Sequence, residues 1–527
     1  MGWSLSGGFE AVWTTYIERE SARTVRGRTG RIMTEQFPTF HNSYTQLPER
    51  FYARVAPARP KAPALLALNK GLAEVLGLDA AWLRSEEGLA MLSGQRLPEG
   101  AASIAMAYAG HQFGGWVPQL GDGRAILIGE VTGTDGVRRD LQLKGGGPTP
   151  FSRGGDGLAW LGPVLREYVV SEAMAALGVP TTRSLAAVAT GNEVVRETVL
   201  PGAVLTRVAR SHIRVGTFQY FSARRDVEAV KMLADHVIAR HYPKAREAEN
   251  PYLAMLEAVI DAQVALVSHW QSIGFIHGVM NTDNMTLSGE TIDYGPCAFM
   301  DDYHPDTVFS SIDRGGRYAY SNQPPIAQWN LAILASALLP ILNGDKDLAI
   351  ADAQALIDSV SPRFDAAIVA RFRSKIGLAD EREEGDPALV ADLLSRMSAN
   401  MVDFTNLFRA LGKLPNEGGP STDAPARDLF ADPTVFDKWA EVWRRRLARQ
   451  GISEAERQAA MDAVNPAFIP RNHRVEAMIA AALNGDLTPM HELMDVLSRP
   501  YESRPDKADY AAPPTDQQRV TATFCGT

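Results

Sequence analysis

From Ile104 to Val208 the sequence runs in short apolar strands broken by glycines, and from Asp226 to about Asn484 it runs almost wholly in helical periodicity. A chain that keeps strands and helices in separate stretches is expected to fold as α+β. In the strand-rich part, Gln119 to Arg124 (Q-L-G-D-G-R) makes a tight turn into the apolar strand Ala125 to Val131. Asp135-Gly136 then closes a hairpin into Asp140 to Lys144. Alternation puts Leu141 and Leu143 on one face and Asp140, Gln142 and Lys144 on the other. A second glycine-rich loop, Gly145 to Gly157, leads to a helix with Pro163 in its first turn and Gly178 past its end. Glu167, Val170, Met174 and Leu177 share a stripe of that helix. The helix is apolar around much of its circumference, so periodicity does not choose Glu167 over Glu172. Beyond the strand Val204 to Val208, Arg207, Arg210 and Arg214 cluster around His212. Ala64 to Leu76 is expected as a helix ended by Gly77.

In the helical part, Leu253, Leu256, Ile260, Val264 and Val267 form one face leading into His277 to Gly295, H-G-V-M-N-T-D-N-M-T-L-S-G-E-T-I-D-Y-G. Two short strands, Met285 to Leu287 and Thr291-Ile292, are expected to turn at Ser288-Gly289. Asn284 and Asp293 would then offer two oxygen ligands to Mg²⁺, which completes such sparse sets with water and nucleotide phosphates. Protein kinases supply an Asn and an Asp in this way, after a Lys and its Glu partner in the order seen here for Lys144 and Glu167. Val279 stands where a kinase carries its catalytic Asp, and a carboxylate appears instead at Asp283. Gly121, Gly123 and Arg124, and again Asp156 and Gly157, would bring backbone N–H groups and a guanidinium to phosphate. Arg207 and Arg214 suit bidentate grips on a polyphosphate. Each of these has a plain alternative: Asx residues capping a turn, an exposed lysine, surface arginines. Their joint order favours the metal–nucleotide reading. His277 and His212 read as structural hydrogen-bonders.

Of 527 residues 45% are hydrophobic, enough for a large core, and 53 basic against 62 acidic residues give a net charge of −9. That balance argues against nucleic-acid or anionic-membrane binding and confines any positive site to a local pocket. No uninterrupted apolar run approaches the roughly 20 residues of a membrane span, and no secretory signal opens the chain, so a cytoplasmic home is expected. Two cysteines, Cys297 and Cys525, exclude a disulfide framework. The Trp439/Trp443 helix with Arg444 to Arg446 reads as core packing on one face and solvated arginines on the other. Expected segments are an extension at 1–32, with Met33 an alternative start, a flanking segment at 33–103, a helical region at 411–499 and a tail at 500–527.

Four stretches, Q-L-K-G-G-G-P-T-P-F-S-R-G-G-D-G (142–157), R-V-A-R-S-H-I-R-V-G-T-F (207–218), H-G-V-M-N-T-D-N-M (277–285) and I-D-Y-G-P-C-A-F-M-D (292–301), with the terminal F-C-G-T, closely resemble the selenoprotein O family. The resemblance runs from about Leu47 to the end. It implies a pseudokinase with a protein-kinase-like bilobal fold, its N-lobe at 104–225 and C-lobe at 226–410. It implies ATP bound in inverted orientation and AMP transferred to Ser, Thr or Tyr hydroxyls of protein substrates. By motif, Lys144 and Glu167 would be the ion pair, and Gly121, Gly123, Arg124, Asp156, Gly157, Arg207 and Arg214 would contact nucleotide. Asn284 and Asp293 would hold Mg²⁺ or Mn²⁺, and Asp283 would accept the proton. Leu158 stands where the family commonly has Arg. Cys297 and the tail Cys525 form a candidate redox pair, and a monomer is expected. A conventional kinase and a non-catalytic nucleotide-binding scaffold are the competing functions.

Overall fold

The computed structural model describes residues 40–524; the extension 1–32 and Cys525 lie outside the described residues. The architecture is mixed, an antiparallel sheet together with many helices. Its eight-stranded sheet contains β1 (Tyr52–Arg54), β2 (Ala64–Leu68), β3 (Ile104–Met106), β6 (Ala125–Thr132), β7 (Arg138–Lys144), β8 (Ala159–Trp160), β9 (Arg183–Val195) and β10 (Val199–Ala209). The order is β1-β3-β6-β7-β10-β9-β2, with β8 pairing to β10. A separate hairpin pairs β4 (Gly110–Gln112) with β5 (Gly115–Val117). The Asp135-Gly136 turn joins β6 to β7 as expected. Thus β1 and β2, from the segment 33–103, belong to the same sheet as the later strands.

The expected helix Ala64 to Leu76 is divided. Ala64–Leu68 is the edge strand β2, and the helix is only Lys70–Val75. Asn69 is the cause: its side chain accepts from Leu72 N–H at 3.0 Å, an N-cap that starts the helix there, while Ala64 to Leu68 satisfy their backbone on β9.

The alternation of β7 sorts the sheet's two faces. Leu141 and Leu143 pack with Leu72, Leu83, Met91 and Val208 in a core beneath the small N-terminal helices. Asp140, Gln142 and Lys144 occupy the opposite face, joined by Arg207 in register across from Gln142 on β10. All four are buried there, so this polar row lies inside the protein and not on a solvated surface.

Helix Leu161–Ala176 crosses that region. Its outer side packs against Val475, Met478 and Ile479 of helix Asn472–Leu483 and Met490 and Leu493 of helix Thr488–Leu497. The helical half centres on Pro251–Ile273. Asn250 caps it by accepting from Leu253 N–H, Pro251 opens it, and Gly274 closes it in the left-handed region at φ 72°. Leu256, Ile260 and Val267 face Leu331, Leu334 and Leu338 of helix Gln323–Leu342 in the main core. Pro251–Ile273 and Tyr320–Leu342 are long and apolar enough by composition to cross a bilayer, and about half of each is buried within the protein. Helices Val360–Lys375, Asp386–Asn400, Phe404–Leu411 and Pro433–Leu447 form a further core around Phe372, Phe404, Phe408, Trp439 and Trp443. The two indoles stack and donate to the carbonyls of Leu389 and Ile376. Arg444 is ion-paired with Asp423 and Arg446 with Asp380 and Asp386.

Candidate active site

The Pro251–Ile273 helix delivers the chain through β11 (Phe275–Ile276), paired to β12 (Ala298–Phe299), into the loop His277–Gly295. The expected strand pair inside this loop does not form. Thr286 bridges to Arg214 and Thr291 to Thr181 instead, so each arm is held by a different neighbour. The turn between them is closed by the Thr286 hydroxyl, which donates to Glu290 O and accepts from Glu290 N–H, and this side-chain clasp replaces a ladder. His277 is buried under Trp270. Its Nε2 lies 2.8 Å from the Ile292 carbonyl, and its Nδ1 accepts from Val279 N–H, which ties the loop's entrance to the residue before Asp293.

Asp293 sits at φ 64°, in a left-handed conformation unusual for a residue with a side chain. Its carboxylate is met by three cations. Lys144 Nζ and Arg207 Nη1 both reach Oδ1, the latter at 2.9 Å, and Arg214 Nη1 lies 3.3 Å from Oδ2. Lys144 and Arg207 also pair with Glu167, and Arg207 is oriented by two bonds to Gln142 Oε1. The helix therefore turns Glu167 into the site. Glu172 serves elsewhere, accepting from Asn69, Arg183 and Ser184 N–H. Burial alone would push the Asp293 carboxyl up, but Lys144, Arg207 and Arg214 hold it well below the ordinary carboxylate range. Its side chain remains 23% exposed, enough to meet a ligand.

Asp283 differs from it. Gln112 Nε2 donates to Oδ2 at 3.0 Å, while Oδ1 is buried with no hydrogen-bond partner. Burial pushes its carboxyl up to about 6, against the Gln112 bond and the nearby Arg214. Asn284 donates from Nδ2 to Val279 O at 3.1 Å, which commits the amide nitrogen and leaves its oxygen for a cation. No group of three or more His, Cys, Asp or Glu is placed to hold a metal ion among the described residues. A metal ion here would have Asn284, Asp293 and few other protein ligands, the sparse oxygen set that suits Mg²⁺.

These groups line one cleft of about 510 Å³, within the range of small-molecule sites. Gly121, Gly123, Arg124, Lys144, Asp156, Gly157, Arg207, Arg214, Asp283, Asn284 and Asp293 all contribute to its wall. Gly121, at φ 94°, leaves no room for a Cβ beside Phe151, and a Cβ on Gly157 would strike the Gly147 carbonyl. Glycine at 121 lets the first loop close on the second, and glycine at 157 lets the second loop fold back on itself. Asp122 braces the first loop by accepting from Met106 N–H and Gln142 Nε2. Among the described residues, no carboxylate lies within ion-pairing distance of Arg124 or Arg153, which line the same wall. A protein of net negative charge thus carries a cleft with six basic and four acidic residues on its lining. Its unpaired arginines and glycine loops fit a polyanion.

Residues 36–498 match the family described as "Protein adenylyltransferase SelO". The chain belongs to the SelO family. A relative from Methylorubrum populi, named protein nucleotidyltransferase YdiU, is 61% identical over 500 residues, covering 94% of this chain and all of the relative. One of the same name from Bradyrhizobium diazoefficiens is 61% identical over 496 residues, again 94% of this chain and all of the relative. The SelO resemblance read from the four motifs is therefore borne out.

Three residues of the cleft carry no signal in the sequence. Arg196, just past β9, ion-pairs with Asp156 at 2.8 Å and donates to the Leu158 carbonyl at 3.0 Å. Tyr108 lies under Arg214, whose Cζ is 4.6 Å from the ring centroid, and Gln112 comes from the small hairpin. Arg210, expected with the other arginines, is exposed and does not line the cleft. His212 is buried against Asp140, away from it. Cys297 is buried beside the site, its thiol pushed up to about 12 by burial. The tail reaches this neighbourhood through Thr523, whose hydroxyl donates to Pro296 O.

Proposed function

We propose that this chain transfers AMP from ATP to Ser, Thr or Tyr hydroxyls of proteins, in a protein-kinase-like bilobal frame whose N-lobe is the segment 104–225 together with β1 and β2 of the preceding segment, and whose C-lobe is 226–410. The observation that carries the reading is the single cleft holding Lys144, Arg207, Arg214 and Asp293 in mutual contact, with Asp283 partnerless at Oδ1 beside them. Membership of a family described as adenylyltransferase supports reading AMP transfer at that cleft.

Lys144, Arg207 and Arg214 neutralise the triphosphate, with Arg124 and the Gly121–Gly123 and Asp156-Gly157 loops enclosing it. Glu167 keeps Lys144 and Arg207 extended toward Asp293. Asn284 and Asp293 would hold Mg²⁺ or Mn²⁺, which when bound offsets negative charge on the phosphates. The acceptor oxygen attacks the α-phosphorus, the bond from that phosphorus to the bridging oxygen breaks, and diphosphate leaves with the electron pair. The hydroxyl proton passes to Asp283 Oδ1. With its carboxyl raised to about 6, Asp283 is ionised at neutral pH yet basic enough to take that proton, worth roughly 10²–10⁴-fold in rate. Val279 where a kinase has its Asp fits this arrangement, because Asp283 supplies the base from four residues on.

The site is read as cytoplasmic and monomeric, without nucleic-acid or membrane partners, consistent with a net charge of −9. Cys297 and Cys525 are read as a redox pair linking tail to site, supported by Thr523 docking on Pro296. ATP labelled at either the α- or the γ-phosphorus tests the activity. Protein labelled only from the α-position supports AMP transfer, label only from γ indicates a kinase, and no label indicates a scaffold.

A further inference from the structure

The β4–β5 hairpin lies apart from the main sheet and is bonded to the catalytic loop at three consecutive residues. His111 N–H donates to the Thr282 hydroxyl at 2.8 Å, Phe113 N–H to Asn281 Oδ1 at 3.0 Å, and Gln112 Nε2 to Asp283 Oδ2 at 3.0 Å. The two backbone bonds fix where the hairpin sits, and the side-chain bond fixes one carboxylate. The packing is close: a Cβ on Gly110 would lie 2.8 Å from Asp283 Oδ1 and 3.2 Å from its Cβ. On its far side the hairpin is anchored by His111, which is bonded to Gln219 at 2.8 Å and in ring contact with Trp329.

We infer that Gln112 is a positioning residue for AMP transfer: it holds one oxygen of Asp283 so that the partnerless oxygen faces the acceptor hydroxyl. A carboxylate with two free oxygens can rotate about χ2, and a terminal torsion of that kind is soft. One N–H on Oδ2, donated from a hairpin itself pinned to the same loop, removes that freedom. Groups that orient a reacting side chain in this way are worth roughly 10–100-fold when removed. The inference rests on Asp283 being the proton acceptor.

Gln112→Met keeps the side chain's length and removes only the donor. Transfer from α-labelled ATP, read on the chain itself and on unfolded casein, should lose roughly tenfold or more in kcat. The KM for ATP, ATP affinity by calorimetry and the melting temperature should stay at wild-type values. Gly110→Ala, which crowds the same carboxylate from the other side, should also lower kcat. Wild-type kcat in Gln112→Met overturns the inference. So does a parallel loss of ATP affinity and melting temperature, which would make the residue merely structural. Asp283→Asn separates the two ideas. If it transfers AMP at the wild-type rate, the base assignment fails and the positioning role with it. If it is inactive while Gln112→Met is not, the positioning role fails alone.

Discussion

Asp283→Asn removes a charge that burial disfavours, so it should yield a protein that is more stable and less active. The carboxyl is raised from an ordinary 3.8 to about 6 by desolvation, which the Gln112 bond and Arg214 only partly offset. At about 1.4 kcal/mol per pH unit, the ionised form costs the folded state about 3 kcal/mol once the pH exceeds both values. The sign follows from proton binding. Between about 4 and 6 the folded state holds a proton that the unfolded chain has released, so stability falls as pH rises, and above about 6 the penalty is constant. Asn keeps the shape and an oxygen for Gln112 Nε2 but carries no charge. In denaturant unfolding without nucleotide, the variant should therefore exceed wild type by up to about 3 kcal/mol at pH 8 and by about half that at pH 5. Transfer should drop roughly 10²–10⁴-fold. A variant no more stable than wild type at pH 8, or an advantage that does not shrink at pH 5, would refute the claim that this carboxylate is strained by burial.

Lys144→Ala should lower AMP transfer by roughly 10²–10³-fold, because it removes the cation proposed to meet the phosphates and leaves Glu167 and Asp293 with Arg207 as their shared partner; steady-state kinetics checks it. Arg471→Met should cost about 3–5 kcal/mol in denaturant unfolding, since it abandons the buried carboxylates of Asp301 and Asp403, while ATP affinity by calorimetry should change little. Chelation by EDTA should abolish transfer and added Mg²⁺ restore it, and Asn284→Ala should shift the Mg²⁺ titration to higher concentration, because Asn284 is read as one of few protein ligands.

What sequence revealed and what it concealed divide along physical lines. Local patterns were legible: the Asp135-Gly136 hairpin, the Pro163 and Gly178 ends of the helix, and the alternation placing Lys144 opposite Leu143 all rest on neighbours a few residues apart. Glu167 and Glu172 could not be separated because nearly every position from Leu161 to Met174 is buried, which erases the periodic signal. The helix expected from Ala64 missed an N-cap at Asn69 and a strand partner more than a hundred residues away. The hairpin expected within His277–Gly295 had two short arms, Met285 to Leu287 and Thr291-Ile292, yet long-range bridges to Arg214 and Thr181 claimed them. Gln112 is 171 residues from Asp283, and no local pattern announces a contact of that kind.

The central claim is tested most directly by intact-mass spectrometry of the protein and its acceptors after incubation with ATP and Mg²⁺, with diphosphate release measured in parallel. The account predicts an increment of one AMP per modified hydroxyl, matched by diphosphate, and absent in Asp293→Ala. An increment of one phosphate, or AMP addition that persists in Asp293→Ala, would contradict it.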